Sequence, residues 1–220
     1  MLTVAASAQR SAPDPGLIGS DNIAVELYAE GAPVQGKEWL LALRFTPKAR
    51  EWHGYWSNPG DAGAGMQLKL DLPPDWEVGE ARYPVPKRLV IAGLMNHIYE
   101  GPYTVLVPVV PGPSVASFGG GPLTGTVDYL ACTDEICVPQ SARLTATRGG
   151  DFARWRAEVA PLLDAAARFA ITGRTLRIGI PLPQGMALPD PHVFVGTERL
   201  VAYAAPQTFR RKGDLLVAEI

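Results

Sequence analysis

The sequence predicts an all-β protein: an immunoglobulin-like β-sandwich followed by a short helical linker and a second, partial β-domain. Three observations point there. Gly (23) and Pro (21) make up one residue in five of the 220, dispersed rather than repeated, against an average near about 12% for the pair. Apolar residues are 47% and charged residues 19%, which fits neither a disordered polyelectrolyte nor a coiled coil. About eight segments of strand length fall within roughly 130 residues, separated by turn chemistry, as a sandwich requires.

Taken in order, residues 22–29 (NIAVELYA) and 38–45 (EWLLALRF) are apolar at strand length, with a Gly/Pro turn at 31–36 between them. Residues 67–72, 80–83, 89–92, 103–109, 125–131 and 142–147 read as further strands, and Pro73-Pro74 as a turn. The composition changes at Gly149-Gly150. Residues 151–170 (DFARWRAEVAPLLDAAARFA) are rich in Ala, Leu and Arg and predict two short helices, with Asp151 as N-cap and Pro161 as the break between them. Residues 174–180, 192–195, 208–211 and 215–220 return to strand character. The expected organisation is a flexible N-terminus at 1–19, a sandwich at 20–148, a helical linker at 149–172 and a second, incomplete β-domain at 173–220. Ala6-Ser7-Ala8 reads like the end of a secretory signal, and the strand pattern running to Ile220 suggests a piece of something longer.

Charge and hydropathy narrow the function. Twenty basic against 22 acidic residues give a formal charge of −2, with no excess positive field for phosphates, so nucleic acid is not the expected partner. The longest nearly unbroken apolar run, residues 89–95, is far below the roughly 18 to 20 residues that span a bilayer.

The chemistry rests on Cys132 and Cys137 in the stretch YLACTDEICVPQ. Five steps along a strand separate two residues by about 16 Å, whereas a disulfide needs Cα atoms roughly 4.4 to 6.8 Å apart. On a helix, five steps leave the side chains about 140° apart. A hairpin solves both problems: residues 127–132 run up, 133–136 turn, and Cys137 returns opposite Cys132. Asp134 suits the turn and Pro139 an edge strand.

Three readings of this pair compete: structural staple, redox couple and metal site. A loop of six residues contributes only about 2 kcal/mol in the chain-entropy model, against about 4.7 for a loop of a hundred, so this is an inefficient place for a staple. A soft-metal site, copper being the natural candidate, would need His53 or His97 beside the two sulfurs, and no Cys-x-x-Cys or His-x-His spacing supports it. For the redox reading, Asp134 and Glu135 lie between the sulfurs, and carboxylates there disfavour the thiolate. The expected dithiol is sluggish alone and reacts when a partner docks. Among the other motifs, Ser117 to Gly121 lacks the setting of a phosphate loop and reads as a hairpin. Asn58-Pro59-Gly60-Asp61 is first of all a turn, His192 between prolines reads as loop surface, and Met66 and Met186 stand alone.

Three motifs in order, WHGYWSNPGDAG at 52–63, NHIYEG at 96–101 and DYLAC through CVP at 128–139, resemble the periplasmic N-terminal region of DsbD/ScsB-type thiol:disulfide interchange proteins. The resemblance is strongest over 20–147. It implies an immunoglobulin-like redox-active domain at the periplasmic side of an inner-membrane protein. Such a domain takes electrons from membrane and thioredoxin-like domains of the same polypeptide and reduces periplasmic thioredoxin-like or disulfide-isomerase partners, without an organic cofactor. Those further domains are absent from these 220 residues, and better known DsbD members place five residues rather than four between the cysteines. By position, Cys132 and Cys137 match the family's redox pair, with Cys137 expected to attack first. His53 and Tyr55 match a strand lining the site, which would otherwise read as an aromatic core strand. Residues 94–99 fall near the family's cap loop, so Leu94, Met95 or His97, with Tyr99 beside them, are expected to shield the sulfurs, although Leu94 and Met95 also suit ordinary core packing.

Overall fold

A computed structural model describes residues 22–119, 121–163, 165–183 and 185–220. The signal-like Ala6-Ser7-Ala8 and the rest of 1–19 lie outside the described residues. In chain order the elements are β1 (Ile23–Ala29), β2 (Trp39–Pro47), β3 (His53–Gly60), β4 (Gln67–Leu70), β5 (Glu77–Val78), β6 (Lys87–Ile91), β7 (Leu94–Glu100), β8 (Tyr103–Val110), the single turn α1 (Val115–Phe118), β9 (Thr124–Cys132), β10 (Cys137–Thr145), β11 (Thr147–Arg148), α2 (Phe152–Glu158), β12 (Arg168–Thr172), β13 (Thr175–Pro181), β14 (Thr208–Lys212) and β15 (Leu215–Glu219).

The strands form three sheets, in the orders β11-β1-β2-β8-β5, β10-β9-β3-β7-β6 with β4 also paired to β9, and β12-β13-β15-β14. The first two make the immunoglobulin-like sandwich that the strand spacing predicted. Alternation along β2 explains it: Trp39, Leu41, Leu43 and Phe45 join Val105, Val107 and Val109 of β8 and Val127, Tyr129 and Ala131 of β9 in one core. The Phe45 ring stacks on Tyr103 at 4.7 Å and meets Tyr129 edge-on at 5.6 Å. Polar ties fasten one sheet to the other: Tyr129 donates to the Ile23 carbonyl at 2.6 Å, and the Ile23 amide donates to Gln140 at 3.2 Å. On the other face of β2, Leu40 and Ala42 are covered by Phe152 and Trp155 of α2. Asp151 caps that helix as expected, accepting from the Arg154 amide at 3.2 Å.

Several local expectations change. The helix does not resume after Pro161 and run to residue 170: Arg168–Thr172 is strand β12, in register with β13 through Phe169 and Ile178. Gly173, with φ of +60°, closes that hairpin, and pairing overrides the Ala-rich composition. Residues 192–195 are not a strand, because the Gln207 side chain does the work of a neighbouring strand, accepting from the Val193 amide at 2.8 Å and donating to the Val193 carbonyl at 3.0 Å. His192 is half-buried against Phe194, with ring centroids 4.5 Å apart, and is not simple loop surface. Residues 80–83 contribute only an isolated bridge between Arg82 and Leu106. The segment read as a hairpin at Ser117 holds the end of α1.

Among the long strands of the sandwich, β3 and β7 escaped the sequence reading by pattern. They lie side by side in the middle of the second sheet, paired through His53 with Glu100, Gly54 with Tyr99 and Tyr55 with Ile98, with a bulge before Gly60. They position everything that follows.

Candidate active site

The two cysteines face each other across the β9–β10 hairpin, Cys132 opposite Cys137 in the ladder. The Thr133 amide donates to the Ile136 carbonyl at 2.8 Å. Residues 133 and 136 are therefore the hydrogen-bonded pair, and by alternation 132 and 137 are the closer pair, where side chains approach most nearly. The Thr133 hydroxyl accepts from the amides of Glu135 and Ile136, both at 3.2 Å, and tightens the turn. The result is a Cys132–Cys137 disulfide with Cα atoms 4.1 Å apart. The hairpin inferred from five-residue spacing is the one observed. Asp134 and Glu135 stand exposed at its tip.

The two sulfurs are not equivalent. Cys132 is 0% exposed, whereas Cys137 lies at the surface. Cys132 packs with Tyr55 and Ile98. The Tyr55 hydroxyl reaches to 3.8 Å from Cys137 Sγ, and burial pushes that phenol's pKa up.

His53 is the residue of β3 that pairs with Cys132. Cross-strand partners share a face and bring their Cβ atoms within about 5.5 Å. The imidazole meets the Tyr55 ring edge-on at 5.6 Å and is 4% exposed. Burial lowers its pKa, while Asp134 and Glu100 pull it back upward. Beside it opens a cleft of about 480 Å³ lined by His53, Arg50, Glu51, Glu100, Asp134 and Glu135, among others.

The remaining expected residues sit elsewhere on β7, for reasons of register. Glu100 is level with His53, so Leu94, six residues earlier, lies about 20 Å along the strand from the cysteines. It is 49% exposed at the β6–β7 turn, and Met95 is its buried neighbour. Neither reaches the sulfurs. Alternation places Ile98 on the Cys132 side and turns His97 and Tyr99 to the other. Tyr99 stacks on Tyr103 at 4.2 Å and donates to the Pro84 carbonyl at 2.7 Å. His97 Nδ1 is 2.9 Å from the Asn58 carbonyl, and its ring is walled by Trp56, Phe194 and Tyr203. The site thus gathers Cys132, Cys137, His53, Tyr55, Asp134 and Glu135, and leaves out Leu94, Met95, His97 and Tyr99.

Sequence reasoning missed Ile98, Glu100 and Gly63. The first two become visible only once the β3–β7 register is known. Gly63 has φ of +94°, and a Cβ there would stand 2.3 Å from a Tyr55 ring carbon, so its backbone covers that ring. Asp61 pins the covering loop by donating its amide to the Met95 carbonyl at 2.7 Å and accepting from the Met95 amide at 2.8 Å. Met95 therefore acts on the site through its main chain, from a distance. The glycines of 60–65 were the available signal.

Among the described residues, no group of three or more His, Cys, Asp or Glu is placed to hold a metal ion, and His97 is turned away from the sulfurs. Among the same residues no helix is long and apolar enough to cross a membrane.

Comparison with known proteins agrees with this geometry. No curated protein matches the chain. The N-terminal periplasmic domain of ScsB from Proteus mirabilis shares the fold, with a TM-score of 0.61 at 17% identity, over 90% of this chain and 79% of that one. A FixG-related protein from Vibrio parahaemolyticus aligns with a TM-score of only 0.26 at 10% identity, over 57% of this chain and 97% of that one, and carries no argument. The family model for the N-terminal region of the thiol:disulfide interchange protein DsbD matches residues 24–149, more than half of the chain and the whole of the cysteine hairpin. The chain belongs to the family of DsbD N-terminal domains.

Proposed function

We propose that this chain is a periplasmic thiol-disulfide exchange domain that passes electrons from a membrane reductase domain to periplasmic partners through Cys132 and Cys137. Residues 20–148 carry the exchange. Thioredoxin-like or disulfide-isomerase proteins are the electron acceptors, and membrane and thioredoxin-like domains of the same polypeptide are the source. The observation that carries this reading is the asymmetry of the bonded pair, one sulfur fully buried and its partner at the surface.

In the reduced state, the Cys137 thiolate attacks one sulfur of a partner disulfide. The partner's S–S bond breaks, its electron pair leaves on the other partner sulfur, and a mixed disulfide to Cys137 remains. Cys132, opposite it across the hairpin, then attacks Cys137 Sγ. The Cys137–partner bond breaks, the second partner thiolate departs, and two electrons have been transferred. The disulfide described above is the end of that step, and attack on exposed Cys137 by an incoming thiolate begins the return. Tyr55 orients Cys137 through its hydroxyl contact, and the Asp134 and Glu135 carboxylates oppose thiolate formation before a partner docks.

The test is a trap. Reduced Cys132→Ser mixed with an oxidised thioredoxin-fold protein is expected to accumulate a mixed disulfide through Cys137, seen on non-reducing gels and located by mass spectrometry. Cys137→Ser is expected to trap far less. Equal trapping through Cys132, or undiminished partner reduction by either variant, contradicts the reading.

A further inference from the structure

Resolution of the mixed disulfide requires Cys132 to lose a proton, and Cys132 has no surface through which water could take it. The carboxylates between the sulfurs are exposed at the hairpin tip. On the side of Cys132 away from Cys137, the side chain directly across the β3–β9 ladder is His53. We propose that His53 accepts the Cys132 thiol proton in the resolving step, and returns a proton to Cys132 when exchange runs the other way. This inference rests on the exchange reading given above.

Four observations support it. The His53–Cys132 pairing puts both side chains on one face of the sheet. The imidazole also meets Tyr55, which packs on Cys132 and touches Cys137, so it belongs to the same cluster as both sulfurs. Among the described residues the His53 imidazole makes no hydrogen bond, unlike that of His97, whose Nδ1 is held by the Asn58 carbonyl. Its ring also lines the cleft of about 480 Å³, which gives the proton a route to solvent.

The charged surroundings suit the role. Burial favours the neutral imidazole, the form that accepts a proton. Asp134 from the hairpin and Glu100 from β7 favour the imidazolium once it forms. Glu100 is itself paired to Lys87 at 2.8 Å, and Arg50, Glu51 and Glu135 complete the charged lining of the cleft. The step balances. The proton passes from Cys132 Sγ to the His53 ring, and the sulfur's electron pair forms the bond to Cys137 Sγ. The bond from Cys137 to the partner breaks, with its pair going to the partner sulfur. The imidazolium then releases its proton to water in the cleft.

The experiment isolates that step. Reduced protein is treated at about pH 4 with 4,4′-dithiodipyridine to place a thiopyridyl group on Cys137. A stopped-flow jump to roughly pH 5.5 to 9 then follows the 4-thiopyridone released as Cys132 closes the disulfide. In the wild type, the rate is expected to rise with pH and level off at the His53 pKa, measured independently by NMR titration of the imidazole. In His53→Gln, closure is expected to be about a hundredfold slower at pH 7 and to rise steadily into the thiol range, converging with the wild type at high pH. An unchanged pH profile in His53→Gln overturns the proposal. Should that variant fail to fold, the wild type decides alone: a kinetic break away from the NMR pKa overturns it, and coincidence supports it. Absence of any closure in the wild type sinks the exchange reading itself, and this inference with it.

Discussion

His53 and His97 sit on opposite sides of the same two strands, and both are buried, at 4% and 2% exposure. Burial holds both imidazoles below their ordinary pKa. Their settings differ in one respect. His97 is fixed by the Asn58 carbonyl and enclosed by Trp56, Phe194 and Tyr203, whereas the His53 ring has no hydrogen-bond partner among the described residues and the residue lines an open cleft beside a disulfide. A buried histidine with its hydrogen bond satisfied and its rings packed is structural. One left uncommitted next to a reacting sulfur is available for proton transfer. Residue type and depth of burial do not separate the two; the partners do.

The sharpest way to break this comparison is on the packed side. Asn58 is wholly buried and donates to the Val195 carbonyl at 2.7 Å and the Tyr203 hydroxyl at 3.0 Å, tying the sandwich to the segment that carries Phe194. Asn58→Ala strands those acceptors, and we expect a loss of about 2 to 3 kcal/mol in urea unfolding with the exchange rate of the folded protein unchanged. A folded Asn58→Ala protein with impaired exchange would show that the two sides are not separate in function.

A smaller effect is expected at the cover over Tyr55. Gly63→Ala places a side chain at φ of +94° and against the Tyr55 ring, costing about 1 to 3 kcal/mol. It also moves the hydroxyl that touches Cys137, so the reduced variant should be alkylated at Cys137 at an altered rate. An unaltered rate would remove Tyr55 from the account of Cys137.

Acid titration probes the packed side more gently. Burial, with Arg88 and His97 nearby, takes the His192 pKa down to about 4, and His97 is lowered in the same direction. The unfolded chain therefore binds more protons than the folded one below the ordinary histidine pKa. Stability should be full above about pH 6.5 and decline as the pH falls toward 4. Urea midpoints at a series of pH values check this, and His192→Asn should flatten the decline. A midpoint that rises on acidification contradicts the assignment.

Much of the sandwich was legible because its core strands carry unbroken apolar patterns, as in Leu40 to Leu43 and Val105 to Val107. The disulfide hairpin was legible from distance alone, since no straight element joins Cys132 to Cys137. The strands β3 and β7 were not. Gly54, Pro59 and Gly60 break the first pattern, and Asn96 and His97 break the second. Asn96 is buried while donating to the nearby Leu89 and Leu94 carbonyls, whereas His97 is buried with a partner 39 positions away, the Asn58 carbonyl. The His53–Cys132 pairing has the same character: the two residues are 79 positions apart, and their contact exists only as register between β3 and β9. The resemblance put His53 and Tyr55 next to the cysteines, and the structure has them there, whereas Leu94 and Met95 lie about 17 to 20 Å along the strand because a cap loop was expected where a paired strand forms.

The central claim is that an exposed sulfur reacts and a buried one resolves. Competitive alkylation of the reduced wild-type protein, quenched at short times and read by peptide mass spectrometry, measures it directly. The account predicts modification of Cys137 well ahead of Cys132. Equal rates at the two positions, or Cys132 first, would contradict it.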